Sequence, residues 1–199
     1  MDDPKNRPDV QRVLRSERLK GREPAISSLN PAGRVVFPAG YPEAMRRAAR
    51  GEMPLGDYLA ASKDHPQEIA TLAAAFYAAN RLEEARLLFD GLCRLNDDEA
   101  RYHNALGAVW LRLQKPEEAL SELNRALQLD DASIEAWVTR AATYLVMQHF
   151  ENAAADLRHA IALDPGKNSP AANRARQFAW GMQQLCQAGQ NRAPAPPGH

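Results

Sequence analysis

Residues 100–133 (ARYHNALGAVWLRLQKPEEALSELNRALQLDDAS) run without a gap into residues 134–167 (IEAWVTRAATYLVMQHFENAAADLRHAIALDPGK), and the two stretches align column by column. The preceding stretch, 66–99, joins the same alignment. All three stretches share apolar residues at matching places: Ala85, Ala119 and Ala153; Phe76, Trp110 and Tyr144; Phe89, Leu123 and Leu157; Leu92, Ala126 and Ala160. Self-similarity at a fixed period of this size indicates a protein built from stacked repeats.

The pattern inside each unit predicts two antiparallel helices joined by a tight turn. Ala73, Gly107 and Ala141 put a small residue in the first helix of each unit, which lets the second helix approach closely. No segment between residues 42 and 190 alternates as a strand does. The sequence therefore predicts an all-α fold, a helical solenoid of three repeats whose columns reflect packing rather than chemistry.

The flanking segments differ from the repeats in composition. Residues 1–41 are rich in proline and charge, so we expect a disordered N-terminal extension, and residues 191–199 form a proline-rich tail that we also expect to be disordered. The domain is expected to span residues 42–190, beginning with two short helices at Glu43–Arg50 and Leu55–Ser62. Residues 169–188 read as a capping helix, with apolar Phe178, Met182 and Leu185 spaced to cover the end of the stack.

Composition and charge exclude several classes of function. The 25 Lys and Arg residues balance 25 Asp and Glu residues, so there is no electrostatic case for direct binding to nucleic acid or to a membrane surface. The longest apolar run, Leu72 to Ala79, is far too short to span a bilayer. The N-terminus lacks the features of a secretory signal, and two cysteines suit a reducing compartment, so we expect a cytoplasmic protein.

No pattern of residues indicates catalysis, a metal or a cofactor. The paired acids Glu83-Glu84 and Glu117-Glu118 recur with the repeat at predicted helix starts, where carboxylates complement the helix dipole. Cys93 reads as a buried small hydrophobic residue rather than a nucleophile. The five histidines show no metal-ligand spacing with one another or with the cysteines, and no glycine-rich phosphate loop occurs. We expect a protein that is not an enzyme.

The shared columns resemble the tetratricopeptide repeat, most completely in residues 134–167. One departure is Arg140, which stands where the repeat usually has an apolar residue and which we expect to snorkel or to pair with an acid of a neighbouring helix. Two short helices, three repeats and a cap also resemble the class II chaperones of type III secretion systems. That likeness is strengthened by the run Phe89-Asp90-Gly91-Leu92-Cys93-Arg94-Leu95, followed by Arg101-Tyr102 and Leu106-Gly107-Ala108.

The resemblance to these chaperones implies a function and partners. Such chaperones hold an extended P-x-L-x-x-P segment of hydrophobic translocator proteins and keep these clients soluble in the bacterial cytoplasm before export. Some also bind an AraC-type transcription factor, and some form weak homodimers through their N-terminal helices, here Glu43–Ser62. No ATP or other cofactor is implied.

Repeat geometry places a peptide-binding groove on the first helices of the units. Its predicted lining is Ala70, Ala74 and Tyr77 in the first unit; Arg101, Asn104, Ala108, Leu111 and Arg112 in the second; and Val138, Ala142 and Leu145 in the third. Tyr77 is the most obvious anchor. Alanine at 70 and 74, where the family often has aromatic residues, widens or flattens the pocket. Arg101 and Arg112 are expected to be solvated charges at the groove edge.

Two alternatives remain open at the level of sequence. The chain is a general tetratricopeptide scaffold unrelated to secretion, or it is an assembly subunit that tethers a catalytic partner. Scaffolds that clamp the terminal carboxylate of heat-shock proteins use Lys and Asn on the inner face. The corresponding positions here include Ala70, Ala74, Ala105, Glu135 and Thr139, so that clamp is absent.

Overall fold

The computed structural model describes residues 28–29, 35–37 and 40–190, with side chains as far as residue 184. Its helices are α1 (Glu43–Arg50), α2 (Leu55–Ala61), α3 (Pro66–Ala78), α4 (Leu82–Leu95), α5 (Ala100–Arg112), α6 (Pro116–Leu129), α7 (Ile134–Val146), α8 (Phe150–Ala162) and α9 (Pro170–Gln190). Two strands of two residues each, β1 (Ser28–Leu29) and β2 (Val35–Val36), pair antiparallel before α1. The prediction of an all-α helical solenoid is confirmed, and the small hairpin is the one addition to it within the described residues.

The hairpin and the first two helices close the N-terminal end of the stack. Val35 and Phe37 are buried in one apolar cluster with Met45 of α1 and Tyr58 of α2, and the cluster continues into α3, α4 and α5. Val35 and Phe37 lie in the N-terminal segment for which composition predicted disorder, within a short run of three consecutive apolar residues, 35–37. The rest of residues 1–39 and residues 191–199 lie outside the described residues.

Each repeat unit consists of two helices joined by the same left-handed turn. Asn80, Gln114 and Gln148 end the first helices with φ values of 61°, 63° and 63°, at matching places in the three units. The amide nitrogen after each turn residue donates to the carbonyl five residues earlier, at 2.8, 3.0 and 2.8 Å. These bonds satisfy orphan carbonyls at the helix end and fix the angle at which the second helix leaves.

Close approach within a unit depends on the small residue in its first helix. A Cβ added to Gly107 would lie 2.7 Å from Cγ of Leu123 and 3.3 Å from the carbonyl oxygen of Ala119, both on α6. Ala73 and Ala141, at the matching positions, are fully buried. The small-residue column therefore acts as predicted, and it lets the large columns close over a continuous core.

The last helix, α9, continues the 34-residue register as though it were the first helix of a fourth unit. Ala175 falls in the column of Ala141, and Phe178 falls in the aromatic column of Tyr144. Both are buried against α7 and α8, and Met182 is partly buried beside them. The predicted role of α9 as a cap is thus visible for Phe178 and Met182, while the side chain of Leu185 lies outside the described residues.

Candidate peptide-binding groove

The predicted lining of the groove divides into an accessible part and a covered part. In the first two units, Ala74, Arg101 and Arg112 are exposed, whereas Ala70, Tyr77, Asn104, Ala108 and Leu111 are half-buried. We use the term candidate groove for these eight residues. Together they form a surface of small apolar side chains on α3 and α5, with one aromatic residue and two arginines.

The three residues predicted in the third unit are covered. Val138, Ala142 and Leu145 retain 3%, 7% and 7% of their exposure. Val138 and Leu145 belong to the cluster that contains Ala175 and Phe178 of the capping helix. Since α9 packs beside α7 as a following repeat would, a peptide gains little contact with this unit.

Tyr77 is held in place by an arginine of the next unit. Arg112 donates from Nη1 to the carbonyl oxygen of Tyr77 at 2.9 Å and from Nη2 to Oδ1 of Asn80, and its guanidinium lies 4.5 Å from the centre of the Tyr77 ring. Burial raises the pKa of the Tyr77 hydroxyl, and the charges of Arg112 and Arg174 act in the opposite direction. Arg112, which is exposed at the edge of the candidate groove, is therefore also a brace between the first two units.

Asn104 contributes an unpaired polar atom to the candidate groove. Its Oδ1 is buried and has no hydrogen-bond partner among the described residues. A buried amide oxygen without a donor is costly, and such atoms are uncommon in folded proteins. Arg101, one turn away, pairs with Glu99 at 2.8 Å and donates to the hydroxyl of Tyr102 at 3.2 Å, while its side chain stays more than half exposed.

The third unit confirms the expectation for Arg140. Its Nε and Nη2 donate to the two carboxylate oxygens of Asp156 at 2.8 and 2.9 Å, and Nη1 donates to Oδ1 of Asn124. Its guanidinium also lies 4.7 Å from the centre of the Trp137 ring. Asp156 lies on α8 and is the acid of a neighbouring helix that was predicted from the sequence.

The candidates for chemistry take structural roles, with one grouping that the sequence concealed. The paired acids at 83–84 and 117–118 lie in the first turns of α4 and α6, as predicted. Cys93 is buried, and that burial raises the pKa of its thiol to about 12, so it is a poor nucleophile at neutral pH. However, Cys93, His103 and Glu122 bring ligand-type atoms within 4.8 Å of one another. They come from three helices, and spacing along the chain therefore could not reveal them.

Comparison with known proteins identifies the repeat and the fold. A family model described as the tetratricopeptide repeat matches residues 100–133. No curated protein matches the chain in sequence. In the described part of the chain, no helix has both the length and the apolar character needed to cross a membrane.

Solved structures with the same fold come from proteins with different partners. The Yersinia enterocolitica type III secretion chaperone SycD, in complex with a peptide of the translocator YopD, is similar with 20% identity and a TM-score of 0.56, over 64% of this chain and 95% of that one. The TPR domain of Arabidopsis OM64 is similar with 22% identity and a TM-score of 0.53, over 59% and 96%. The first TPR of Spaghetti (RPAP3), bound to the HSP90 peptide SRMEEVD, has 19% identity and a TM-score of 0.53, over 61% and 95%. At these identities the likeness establishes the tetratricopeptide solenoid fold.

Proposed function

We propose that this protein binds an extended peptide segment of a partner protein in the candidate groove, and that it does so as a chaperone of type III secretion translocators in the bacterial cytoplasm. The observation that carries the proposal is the braced aromatic at Tyr77 beside an accessible, mostly apolar surface. A ring fixed by Arg112 loses little side-chain freedom when a ligand packs on it, so more of the contact energy remains for binding.

The chemistry of the candidate groove fits an extended segment with proline and leucine. Ala70, Ala74 and Ala108 place small, partly accessible apolar side chains on the first helices of the two units, which leaves room for compact side chains of a ligand. Prolines pre-set an extended backbone, which lowers the entropy lost on docking. A rotation of the Asn104 side chain, which is half-buried, would bring its unpaired Oδ1 to the surface as an acceptor for a backbone N–H of such a segment.

The arrangement around the groove supports the finer part of the proposal. Two short helices precede the repeats and one cap follows them, and SycD matches this chain over 95% of its own length. The sequence run around Cys93, described above, adds to this support. A general scaffold remains the broader form of the same proposal, with an unassigned client segment in the same groove.

Two peptides distinguish the secretion chaperone from the general scaffold, the broader form of the proposal. One is a labelled P-x-L-x-x-P peptide of translocator type, with a control in which Pro and Leu are replaced by Ala. The other is SRMEEVD, the peptide bound by the RPAP3 domain. Fluorescence anisotropy should give saturable binding of the first peptide near 1 μM, about 8 kcal/mol, and no binding of the second. The positions that correspond to the carboxylate clamp carry neither Lys nor Asn; they include Ala70, Ala74, Ala105, Glu135 and Thr139.

Variants locate the site. Tyr77→Ala should weaken the P-x-L-x-x-P peptide by about tenfold or more, whereas Tyr77→Phe should retain most of the affinity because the ring remains. Phe150→Ala removes an exposed aromatic side chain outside the candidate groove and should leave the affinity for the peptide unchanged. Binding of SRMEEVD instead would overturn the secretion form. Failure of both peptides, and of co-expressed translocators to copurify with the folded protein, would leave only the broader form.

A further inference from the structure

The junction between the first two units gathers three side chains that bind transition metals. Cys93 lies near the end of α4, His103 in α5 and Glu122 in α6, and one ligand atom from each lies within 4.8 Å of the other two. Cys93 and His103 are buried, while the Glu122 side chain is 27% exposed. Two of the three ligand side chains are therefore buried, and the third, that of Glu122, is partly accessible to solvent.

Hydrogen bonding at His103 points to a cation in this place. Nδ1 lies 2.8 Å from Oε2 of Glu122, and Nε2 lies 3.3 Å from the carbonyl oxygen of Asp97. Carbonyl oxygens accept only, and so does an ionised carboxylate, whereas a neutral imidazole carries a single N–H. A metal ion at Nδ1, with the single N–H at Nε2, would satisfy both contacts.

The contact between Nε2 of His103 and the Asp97 carbonyl oxygen is of the kind that supports metal-binding histidines. A histidine that binds a metal through one ring nitrogen donates its other N–H to a carboxylate or a backbone carbonyl, which fixes the tautomer and the ring orientation. The Asp97 carbonyl provides that support here. The nearby Asp97 carboxylate is neutralised by Arg125 at 2.9 Å.

The repeat register shows that packing alone does not require these residues. One period later, the places of Cys93 and His103 are taken by Leu127 and Trp137, which pack in an apolar cluster. The place of Glu122 is taken by Asp156, which is bound to Arg140. The second junction therefore closes with apolar contacts and a neutralised acid, whereas the first has a thiol, an imidazole and a carboxylate without an arginine on it among the described residues.

We propose that Cys93, His103 and Glu122 form a zinc site that ties the first repeat to the second, with a water molecule as fourth ligand. Zinc binding would displace the proton of the Cys93 thiol into solvent, and the resulting thiolate, an imidazole nitrogen and a carboxylate oxygen are the ligand types of tetrahedral zinc. At zinc–ligand distances of about 2 Å, nitrogen and oxygen ligands lie about 3.3 Å apart. The 2.8 Å contact between His103 and Glu122 needs to lengthen only slightly, and the partly exposed Glu122 side chain can make that movement.

The test uses the full chain, freed of metal with a chelator and carrying no histidine tag. Titration with Co²⁺ should give one equivalent of binding with a thiolate-to-cobalt charge-transfer band, and Zn²⁺ should abolish that band by displacement. Zn²⁺ should also raise the thermal unfolding midpoint of the full chain. Cys93→Ser should remove the band, and His103→Gln and Glu122→Gln should each weaken Zn²⁺ competition more than about tenfold.

Matched controls come from the same chain. Cys186→Ser replaces the other cysteine, and His65→Gln replaces an exposed histidine, so both should bind as the unmodified chain does. Circular dichroism shows which variants are folded; Glu122→Gln keeps the test decisive if His103→Gln fails to fold, because its amide conserves size. Cobalt binding without the charge-transfer band, or an unchanged band in Cys93→Ser, would overturn the proposal.

Discussion

At the scale of single residues, the pair formed by Arg140 and Asp156 is the clearest place to separate charge from packing. Their side chains are only 17% and 6% exposed. Removal of one partner from such a pair leaves a desolvated charge, so Asp156→Leu should lower the free energy of unfolding by about 3 kcal/mol. The first unit has Leu72 and Leu88 at the same two positions, both fully buried.

The double variant Arg140→Leu/Asp156→Leu should therefore recover most of the loss, because it reproduces the apolar pair of the first unit. Urea unfolding of the parent chain, both single variants and the double variant gives the coupling energy. If the loss in free energy of unfolding of the double variant equals the sum of the losses of the two single variants, the pair contributes through geometry that leucine cannot replace.

Asn104 offers a second prediction at this scale, in which stability and binding change in opposite directions. Its Oδ1 is buried without a partner in the described structure, so Asn104→Ala should leave the free energy of unfolding unchanged or raise it. The same variant should weaken the P-x-L-x-x-P peptide by about 1 kcal/mol, since a peptide N–H loses its acceptor. Equal affinity in anisotropy would remove Asn104 from the groove.

Sequence reasoning succeeded at these residues to different degrees. The need for an acid near Arg140 was predictable, because an arginine in an apolar column must be paired. The partners of Arg112 were not, since they lie one unit away, on a carbonyl and an amide at the end of α3. The cluster of Cys93, His103 and Glu122 was hidden for the same reason: periodicity places residues on faces, but contact between units depends on the exact rotation of each helix.

At the scale of the helices, Gly107 sets how closely α5 and α6 pack. Gly107→Ala gains helix propensity but drives a methyl group against the Leu123 branch point and a carbonyl oxygen, so a net loss of about 1–3 kcal/mol is expected. Gly181→Ala, in α9, meets nothing within 4 Å and should raise stability by up to about 1 kcal/mol. Urea unfolding measures both; stabilisation by Gly107→Ala would mean that α6 shifts away freely.

The docking of α9 should depend on pH through Asp164. Its carboxylate accepts from the amides of Asn168 and Ser169, each at 3.1 Å, and from Arg176 at 3.3 Å. Burial acts to raise the pKa of Asp164, but these hydrogen bonds outweigh it and hold the pKa below its usual range. Because the folded pKa lies below the unfolded one, this stabilisation is present above about pH 4 and is lost as the pH falls through the folded pKa.

Asp164→Asn tests that dependence. The variant should be less stable than the parent chain at pH 7, and the difference should shrink as the pH falls through the folded pKa of Asp164, because the parent carboxyl then loses its charge too. Urea unfolding followed by circular dichroism over a range of pH values measures that difference. If the difference in stability between the variant and the parent chain does not change with pH, the loss comes from the shape of the side chain rather than from its charge.

At the scale of the whole molecule, the cap determines how much of the solenoid can serve a partner. The fold, the number of repeats and the cap followed from periodicity, since stacked units must bury their apolar faces. What did not follow is that α9 covers the third unit, which restricts the candidate groove to the first two. Val138→Ala should therefore cost stability without changing peptide affinity, whereas Ala108→Asp should weaken the peptide and leave the fold intact.

The oligomeric state is the remaining property at this scale, and the N-terminal helices are where we expect a weak homodimer. Deletion of residues 1–62 is a poor test, because Met45 and Tyr58 share a buried cluster with Ile69 and Leu72 of the first unit, and their removal would expose it. Ala60 is exposed on α2 beside an apolar depression lined in part by Leu59 and Leu95.

Ala60→Glu places a charge on that surface without opening the core, and it should turn a dimer into a monomer in light scattering at equal concentration. Ser121 is an exposed residue of α6, and Ser121→Glu is the matched control; this variant should keep the oligomeric mass of the parent chain. Because the candidate groove lies on α3 and α5, peptide affinity should be the same in monomer and dimer. An unchanged dimer mass in Ala60→Glu would move the interface away from α2, and altered peptide affinity in that variant would mean that the dimer shapes the groove.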